Sequence, residues 1–178
     1  MRTVGVIVEY NPLHNGHAYH LAESRRAAGA EAVVAVMSGN WLQRGEPALM
    51  NKWARAETAL LAGADLVLEL PALWSARPAE RFAFGAVSLL ERIGIVDAFC
   101  FGSESGDVEL LHSLAKRLAA EPEPFAALLK ERLDRGMPYP AAYADACTAL
   151  TGDREAAEAL EKPNNSLGFH YLLALERL

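Results

Sequence analysis

Short apolar runs separated by helix-length stretches set the tightest limit on what this chain can become. Thr3–Val8 (TVGVIV), Ala32–Met37 (AVVAVM) and Leu66–Leu70 (LVLEL) read as strands buried on both faces. Ala98–Phe101 reads as a fourth, shorter strand. Helical patterning occupies His17–Ala28, Asn51–Leu61 and Ala79–Ile93. Strands alternating with helices predict βαβ units and an α/β fold built on a doubly wound parallel sheet. Crossovers in such sheets are right-handed, and ligands sit at the carboxyl ends of the strands near a reversal of strand order.

Beyond about Gly106 the pattern changes. Val108–Leu118, Pro124–Arg135, Tyr139–Leu150 and Ser166–Leu178 all read as helices. Pro122, Pro124, Pro138 and Pro140 punctuate them as starts or breaks. The expected organisation is an α/β core over residues 1–106 and a helical extension over 107–178. The last segment, SLGFHYLLALERL, is periodic and apolar with no C-cap glycine after it. It reads either as a frayed terminal helix or as a chain that stops before the full protein does.

Composition sets outer limits. Of 178 residues, 52% are hydrophobic and 22% charged, which suits a packed core and excludes a disordered tail. The net charge of −6 weighs against gripping nucleic acid through overall electrostatics. Two cysteines, Cys100 and Cys147, exclude a disulfide scaffold and a Cys-rich zinc site, and fit a reducing cytoplasm. The opening MRTVGVIVEY has no basic n-region followed by a long apolar h-region. No apolar run reaches the roughly 18 residues of a membrane span. A soluble cytoplasmic protein with no membrane partner is expected; nothing in the sequence sets an oligomeric state.

The segment Glu9-Tyr10-Asn11-Pro12-Leu13-His14-Asn15-Gly16-His17 joins the first strand to the first helix. Gly16 lets a ligand approach the backbone. His17 falls in the first helical turn, where unpaired N–H groups and the helix dipole favour anions. His14 and His17 can both donate N–H bonds to a phosphate without a permanent charge. Negative charge builds on the α-phosphate as pyrophosphate leaves in nucleotidyl transfer, and one preorganised donor there is worth about 2.7–4 kcal/mol. The plainer alternative is that one histidine caps the helix and the other lies on the surface. A metal site from His14, His17 and His20 lacks an acidic third ligand nearby, so no protein-ligated metal is expected.

Other polar clusters follow the remaining strands. Ser38-Gly39-Asn40 follows the second strand at its carboxyl end, where an α/β sheet places ligand groups, or forms an ordinary turn. Arg44 can clamp a carboxylate or phosphate with two parallel bonds. Lys52 and Arg55, three apart on the next helix, share one face and suit phosphate contacts, or a solvated face. Arg77, Glu80 and Arg81 read as a salt-bridge group at a helix start. Asp107 and Asn165 read as helix N-caps. Trp41, Trp53 and Trp74 suit packing, with base stacking as the alternative.

Several blocks together resemble the tRNA(Met) cytidine acetate ligases of the HIGH-motif nucleotidyltransferase superfamily. These are GVIVEYNPLHNGHAYHL, VMSGNWLQRGEPALMNKWARAETALLAGADLVLELP, AERFAFGAVSLLERIG, CFGSESGD and KPNNSLGFHYLLAL, spanning residues 4 to about 175. The resemblance implies a Rossmann-like core of the HIGH type and an ATP-dependent enzyme. Acetate would attack the α-phosphate of ATP, with Mg2+ bridging phosphate oxygens, to give acetyl-adenylate and pyrophosphate. The acetyl group would pass to N4 of the wobble cytidine of elongator tRNA(Met), forming N4-acetylcytidine and releasing AMP. ATP contacts are implied at Ile7, Val8, Glu9, Tyr10, Asn11, Pro12, Leu13, His14, Asn15, Gly16, His17 and His20, and further at Gly102 and Asn164. His14, His17 and Arg44 carry the expected catalysis, Ser38, Gly39 and Asn40 the expected acetate or adenylate pocket, and Lys52 and Arg55 the expected phosphate or tRNA contacts. Family members are longer, with a further ATP-contacting arginine and a region thought to help hold tRNA beyond the PNN block; the expectation is therefore a truncated core. The alternatives are a small-molecule adenylyltransferase, whose second Ser/Thr-rich phosphate-binding helix start is not found here, and a non-catalytic ATP-binding or tRNA-docking module.

Overall fold

The structure, a computed structural model, describes residues 1–120, 123–152 and 158–178. The helix break expected at Pro122 lies outside the described residues. The chain forms two compact units, Met1–Phe101 and Gly102–Leu178.

The first unit runs β1 (Thr3–Val8), α1 (Asn15–Ala28), β2 (Ala32–Ser38), α2 (Lys52–Leu61), β3 (Leu66–Leu70), α3 (Ala72–Ser75), α4 (Ala79–Arg92) and β4 (Ala98–Phe99). The sheet order is β3-β2-β1-β4, with every pairing parallel. β1 and β2 align from Thr3↔Ala32 to Val8↔Met37. The chain lays down three strands in one direction, then returns to place β4 beside β1. That reversal makes the carboxyl end of β1 the switch point of a Rossmann-like sheet.

Side chains alternate across the sheet. Val4, Val6, Val8, Val33, Ala35 and Met37 share one cluster with Leu21 of α1 and Ala59 of α2. Gly5 belongs to the opposite face, against α4. A Cβ there would stand 3.0 Å from both Leu90 methyl carbons. With helices on both faces, Val33–Met37 is wholly buried, which is why the run carries no polar alternation. β4 is shorter than the Ala98–Phe101 expected: it pairs only with Val4 and Gly5, and a last backbone bond from Cys100 N to Gly5 O closes it.

Local chemistry sets the helix ends. Gly29 takes a left-handed φ of 57° and ends α1. The Asn51 side chain accepts from Ala54 N to start α2. α3 packs on α4, and the Trp74 ring lies where a Cβ of Gly85 would stand. Trp74 is thus a packing residue, its ring centre 6.0 Å from that of Phe84.

The second unit is helical: α5 (Val108–Leu118), α6 (Glu123–Asp134), α7 (Tyr139–Thr151) and α8 (Pro163–Arg177). α5 packs on α8 and α6 on α7. Tyr143 joins the pairs, its ring edge-on to Phe125 at 4.9 Å and to Phe169 at 5.7 Å. Asp107 caps α5 through Leu110 N, as expected. Asn165 does not cap α8. The helix begins at Pro163, which puts Asn165 inside the first turn and buried. Its Oδ1 instead accepts from Ser103 Oγ at 2.6 Å and Glu104 N at 3.0 Å. These bonds tie Ser103 and Glu104 to α8 within the second unit. No helix among the described residues is long and apolar enough to cross a membrane.

Gly85→Ala should lower unfolding free energy by about 1–3 kcal/mol, because the new methyl must displace the Trp74 ring and overpacking outweighs the helix-propensity gain. Denaturant midpoints of the two proteins check this.

Candidate active site

The chain leaves β1 through Tyr10, buried and held at a φ of 50°. It returns to helix at His14, which is extended (φ −136°, ψ 174°) and caps α1. His14 Nδ1 accepts from Gly16 N at 3.1 Å, and His17 Nδ1 accepts from His14 N at 3.3 Å. This is a reciprocal capping box built from two histidines. It moves the start of α1 to Asn15, ahead of the His17 expected.

The box also fixes chemistry. An imidazole that accepts at Nδ1 carries its proton on Nε2 when neutral. The two rings stack with centres 3.7 Å apart and 21° between planes. Both present Nε2–H at a helix N-terminus, and no acceptor among the described residues takes either. Gly16 makes room for this, since a Cβ there would stand 3.0 Å from His14 Cε1. Burial lowers the His17 pKa, and the His14 and His20 charges lower it further. Burial lowers that of His20 too, whose Nε2 is buried without a hydrogen-bond partner among the described residues. The Tyr10 ring lies 5.0 Å from that of His17, and its buried hydroxyl has no hydrogen-bond partner among the described residues either.

The carboxyl end of β2 lies alongside. Glu9 Oε1 accepts from Ser38 Oγ at 3.0 Å and Gln43 N at 2.7 Å. The carboxylate thereby ties the strand ends to the long loop that follows. Asn11 Oδ1 accepts from Leu49 N at 2.7 Å, and Asn40 Oδ1 from Lys52 N at 3.0 Å. Gly39 is buried beneath the Glu69 side chain, which occupies the space a Cβ would need. Glu69 pairs with Lys52 at 2.6 Å.

Lys52 and Arg55 fare differently from the exposed pair the spacing suggested. Lys52 is half-buried with its ammonium in that ion pair. Arg55 is 1% exposed, and its guanidinium donates to the carbonyls of Glu9, Tyr10, Ser38 and Gly39. A side chain so placed has no N–H left facing solvent for a phosphate. Arg44 is exposed and makes no ion pair among the described residues. Ile7 and Val8 lie within β1; Pro12, His14, Asn15 and Gly16 are exposed, and Leu13 is half-buried. Trp41 and Trp53 are exposed, with Lys52 Nζ 5.3 Å from the Trp53 ring centre. Arg77 Nε donates to Leu73 O within its own turn. Among the described residues no group of three or more His, Cys, Asp or Glu is placed to hold a metal ion.

In the second unit, Gly102 is exposed with open space where a Cβ would project. Asn164 donates from N and Nδ2 to Glu104 Oε1, both at 3.0 Å, and Asn165 N donates to Oε2 at 2.8 Å. A carboxylate therefore occupies the start of α8. Burial opposes its charge, and these bonds outweigh burial and hold the Glu104 pKa below its ordinary value.

The HIGH Nucleotidyl Transferase family matches residues 1–178. The chain belongs to that family. It is 54% identical to the tRNA(Met) cytidine acetate ligase of Acetivibrio thermocellus over all of this chain and 43% of that protein. It is 49% identical to the enzyme of the same name from Caldanaerobacter subterraneus, over all of this chain and 44% of that protein. The crystal structure of Thermotoga maritima TmcAL bound with alpha-thio ATP superposes with a TM-score of 0.89 at 44% identity, covering 98% of this chain and 43% of that one. The chain thus spans less than half the length of the relatives it matches.

The depressed His17 pKa gives a pH signature. The unfolded chain binds a proton at about 6.5 and the folded one only at lower pH. His17 therefore contributes stability that is complete above that value and declines as pH falls through it toward the folded pKa. His17→Gln keeps an N3 acceptor and removes the titration. Denaturation midpoints between pH 5 and pH 8 should show a shallower acid-side fall in the variant.

Proposed function

We propose that this chain is the nucleotide-activating part of a tRNA(Met) cytidine acetate ligase. The observation that carries the reading is the stacked His14–His17 pair, aimed by its own capping box, at the helix that opens from the switch point of the sheet.

In the proposed reaction a carboxylate oxygen of acetate attacks the α-phosphorus of ATP. The bond to the β-bridging oxygen breaks, giving acetyl-adenylate and pyrophosphate. The Nε2–H groups of His14 and His17 donate to phosphate oxygens as charge accumulates, and the N-terminus of α1 adds its dipole. No general base is needed, because acetate attacks as an anion. Arg44, exposed and without an ion pair, supplies charge to the departing pyrophosphate. Ser38, Gly39 and Asn40 border the acetate and adenylate, and residues 7–17 with His20 border ATP. In the second unit Gly102 and Asn164 are proposed as ATP contacts. Mg2+, arriving with ATP, would neutralise phosphate charge; the donors here are N–H groups, which suit phosphate oxygens and leave the ion to the triphosphate. The cytidine N4 amine of elongator tRNA(Met) then attacks the acetyl carbonyl, loses a proton and releases AMP. The cytoplasm is the proposed compartment, in keeping with two unpaired cysteines.

Pyrophosphate exchange into ATP tests the reading. Exchange should require acetate, and His17→Ala should lower its rate about 10²–10³-fold, the usual loss for one oxyanion donor. Exchange that proceeds equally without acetate would assign the chain to another adenylyl acceptor.

A further inference from the structure

Arg55 is the largest fully buried side chain of the protein, and no carboxylate is ion-paired with it among the described residues. Its partners are main-chain carbonyls at two strand ends. Nε donates to Glu9 O at 3.1 Å and Tyr10 O at 3.2 Å; Nη1 donates to Gly39 O at 2.5 Å; Nη2 donates to Ser38 O at 3.0 Å and to Glu9 O. A planar guanidinium with five N–H donors can spread across such a set, whereas an ammonium cannot.

The orientation of those peptides has a consequence on their other side. In a trans peptide the N–H points opposite to the C=O. Each carbonyl drawn toward the guanidinium therefore turns the next residue's N–H away from it. Three of these N–H groups belong to loop residues beyond the strands: Tyr10 and Asn11 after β1, and Asn40 after β2. No acceptor among the described residues takes them. Asn11 and Asn40 add side-chain donors. Each spends Oδ1 on a loop N–H, of Leu49 and of Lys52, which leaves Nδ2 to donate elsewhere. Main-chain N–H groups left without a protein acceptor can bind anions.

We propose that Arg55 is a positioning residue, which assembles an oxyanion site from the peptide N–H groups of Tyr10, Asn11 and Asn40 for the carboxylate or α-phosphoryl oxygens of the reactants. The inference rests on the nucleotidyl-transfer reading above and assigns to Arg55 no contact with substrate. The cation works through the backbone: it holds carbonyl oxygens away from the anion and presents their N–H groups to it.

The test uses ¹⁵N-labelled protein titrated separately with acetate and with α,β-methylene-ATP. The amides of Tyr10, Asn11 and Asn40 should shift saturably with one of them. Shifts on acetate assign the carboxylate, and shifts on the nucleotide alone assign the α-phosphoryl oxygens. Arg55→Lys keeps the charge and loses the fork, so these shifts should disappear. Its kcat for acetate-dependent exchange should fall at least about 10²-fold, as for a misplaced reacting group. Its KM for ATP should stay within about threefold, because the other nucleotide contacts remain. Amides unmoved by either ligand overturn the proposal. So does a folded Arg55→Lys that keeps kcat within about threefold while losing stability, the mark of a purely structural residue. The wild-type titration needs no variant, so it decides the matter even where Arg55→Lys fails to fold. Exchange without acetate would sink the acetate reading alone, since amide shifts on the nucleotide still report the oxyanion site.

Discussion

A cation buried among main-chain oxygens joins the two central strands of the sheet. Removing a guanidinium from water costs several kcal/mol, and the cost is recovered only when every N–H finds a well-placed acceptor. Arg55 finds such acceptors in the carbonyls of Glu9, Tyr10, Ser38 and Gly39. Ser38 ends β2, and Glu9, Tyr10 and Gly39 open the loops beyond β1 and β2, so both loops leave the sheet from a fixed geometry. The long second loop is then held at separate points, by Glu9 on Gln43, Asn11 on Leu49 and Asn40 on Lys52. Polar side chains near the switch point thus act first as struts.

The same economy governs the start of α1. A capping box made of Ser and Glu would serve the helix alone. His14 and His17 satisfy the same backbone N–H groups with Nδ1 and keep Nε2–H for another partner. Gly16, stripped of a Cβ, lets His14 fold over the first turn. Helix capping and the proposed phosphate contact are therefore one arrangement, and altering either histidine changes both.

Much of this was legible in the order of residues, and the exceptions share a cause. The strands of the first unit and their parallel order follow from apolar runs spaced by helices. The proposed site's place rests on a Gly- and His-bearing loop at the first strand end. Three features were not legible because they depend on long-range partners. Arg55 on an amphipathic helix looks like a solvated face until the carbonyls of residues 9 and 39 are seen around it. Asn165 has the composition of a cap, yet Pro163 begins the helix and the amide holds a loop sixty residues earlier in the chain. Glu9 follows a strand as an ordinary polar residue, and only its bonds to Ser38 and Gln43 show it as a strut. The family resemblance supplied what local pattern could not: the whole-chain match, and with it the HIGH-type fold.

These internal uses of charge change how the acidic balance of the chain is to be understood. A net charge of −6 weighs against gripping nucleic acid through overall electrostatics. In the first unit, however, Arg55 is spent on carbonyls and Lys52 on Glu69, while the lowered pKa of His17 keeps its ring neutral near neutral pH. The proposed anion contacts are consequently oriented dipoles: two imidazole Nε2–H groups, a helix N-terminus and peptide N–H groups, with Arg44 as the one unpaired guanidinium of the second loop. Dipoles fixed in place need no reorganisation as charge develops on the reacting phosphate. They also act over a few ångströms only and draw little on the field of the whole molecule. An acidic chain can therefore stabilise a phosphoryl anion at this strand end without becoming a general binder of polyanions, and recognition of a nucleic acid would have to come from surfaces other than this one.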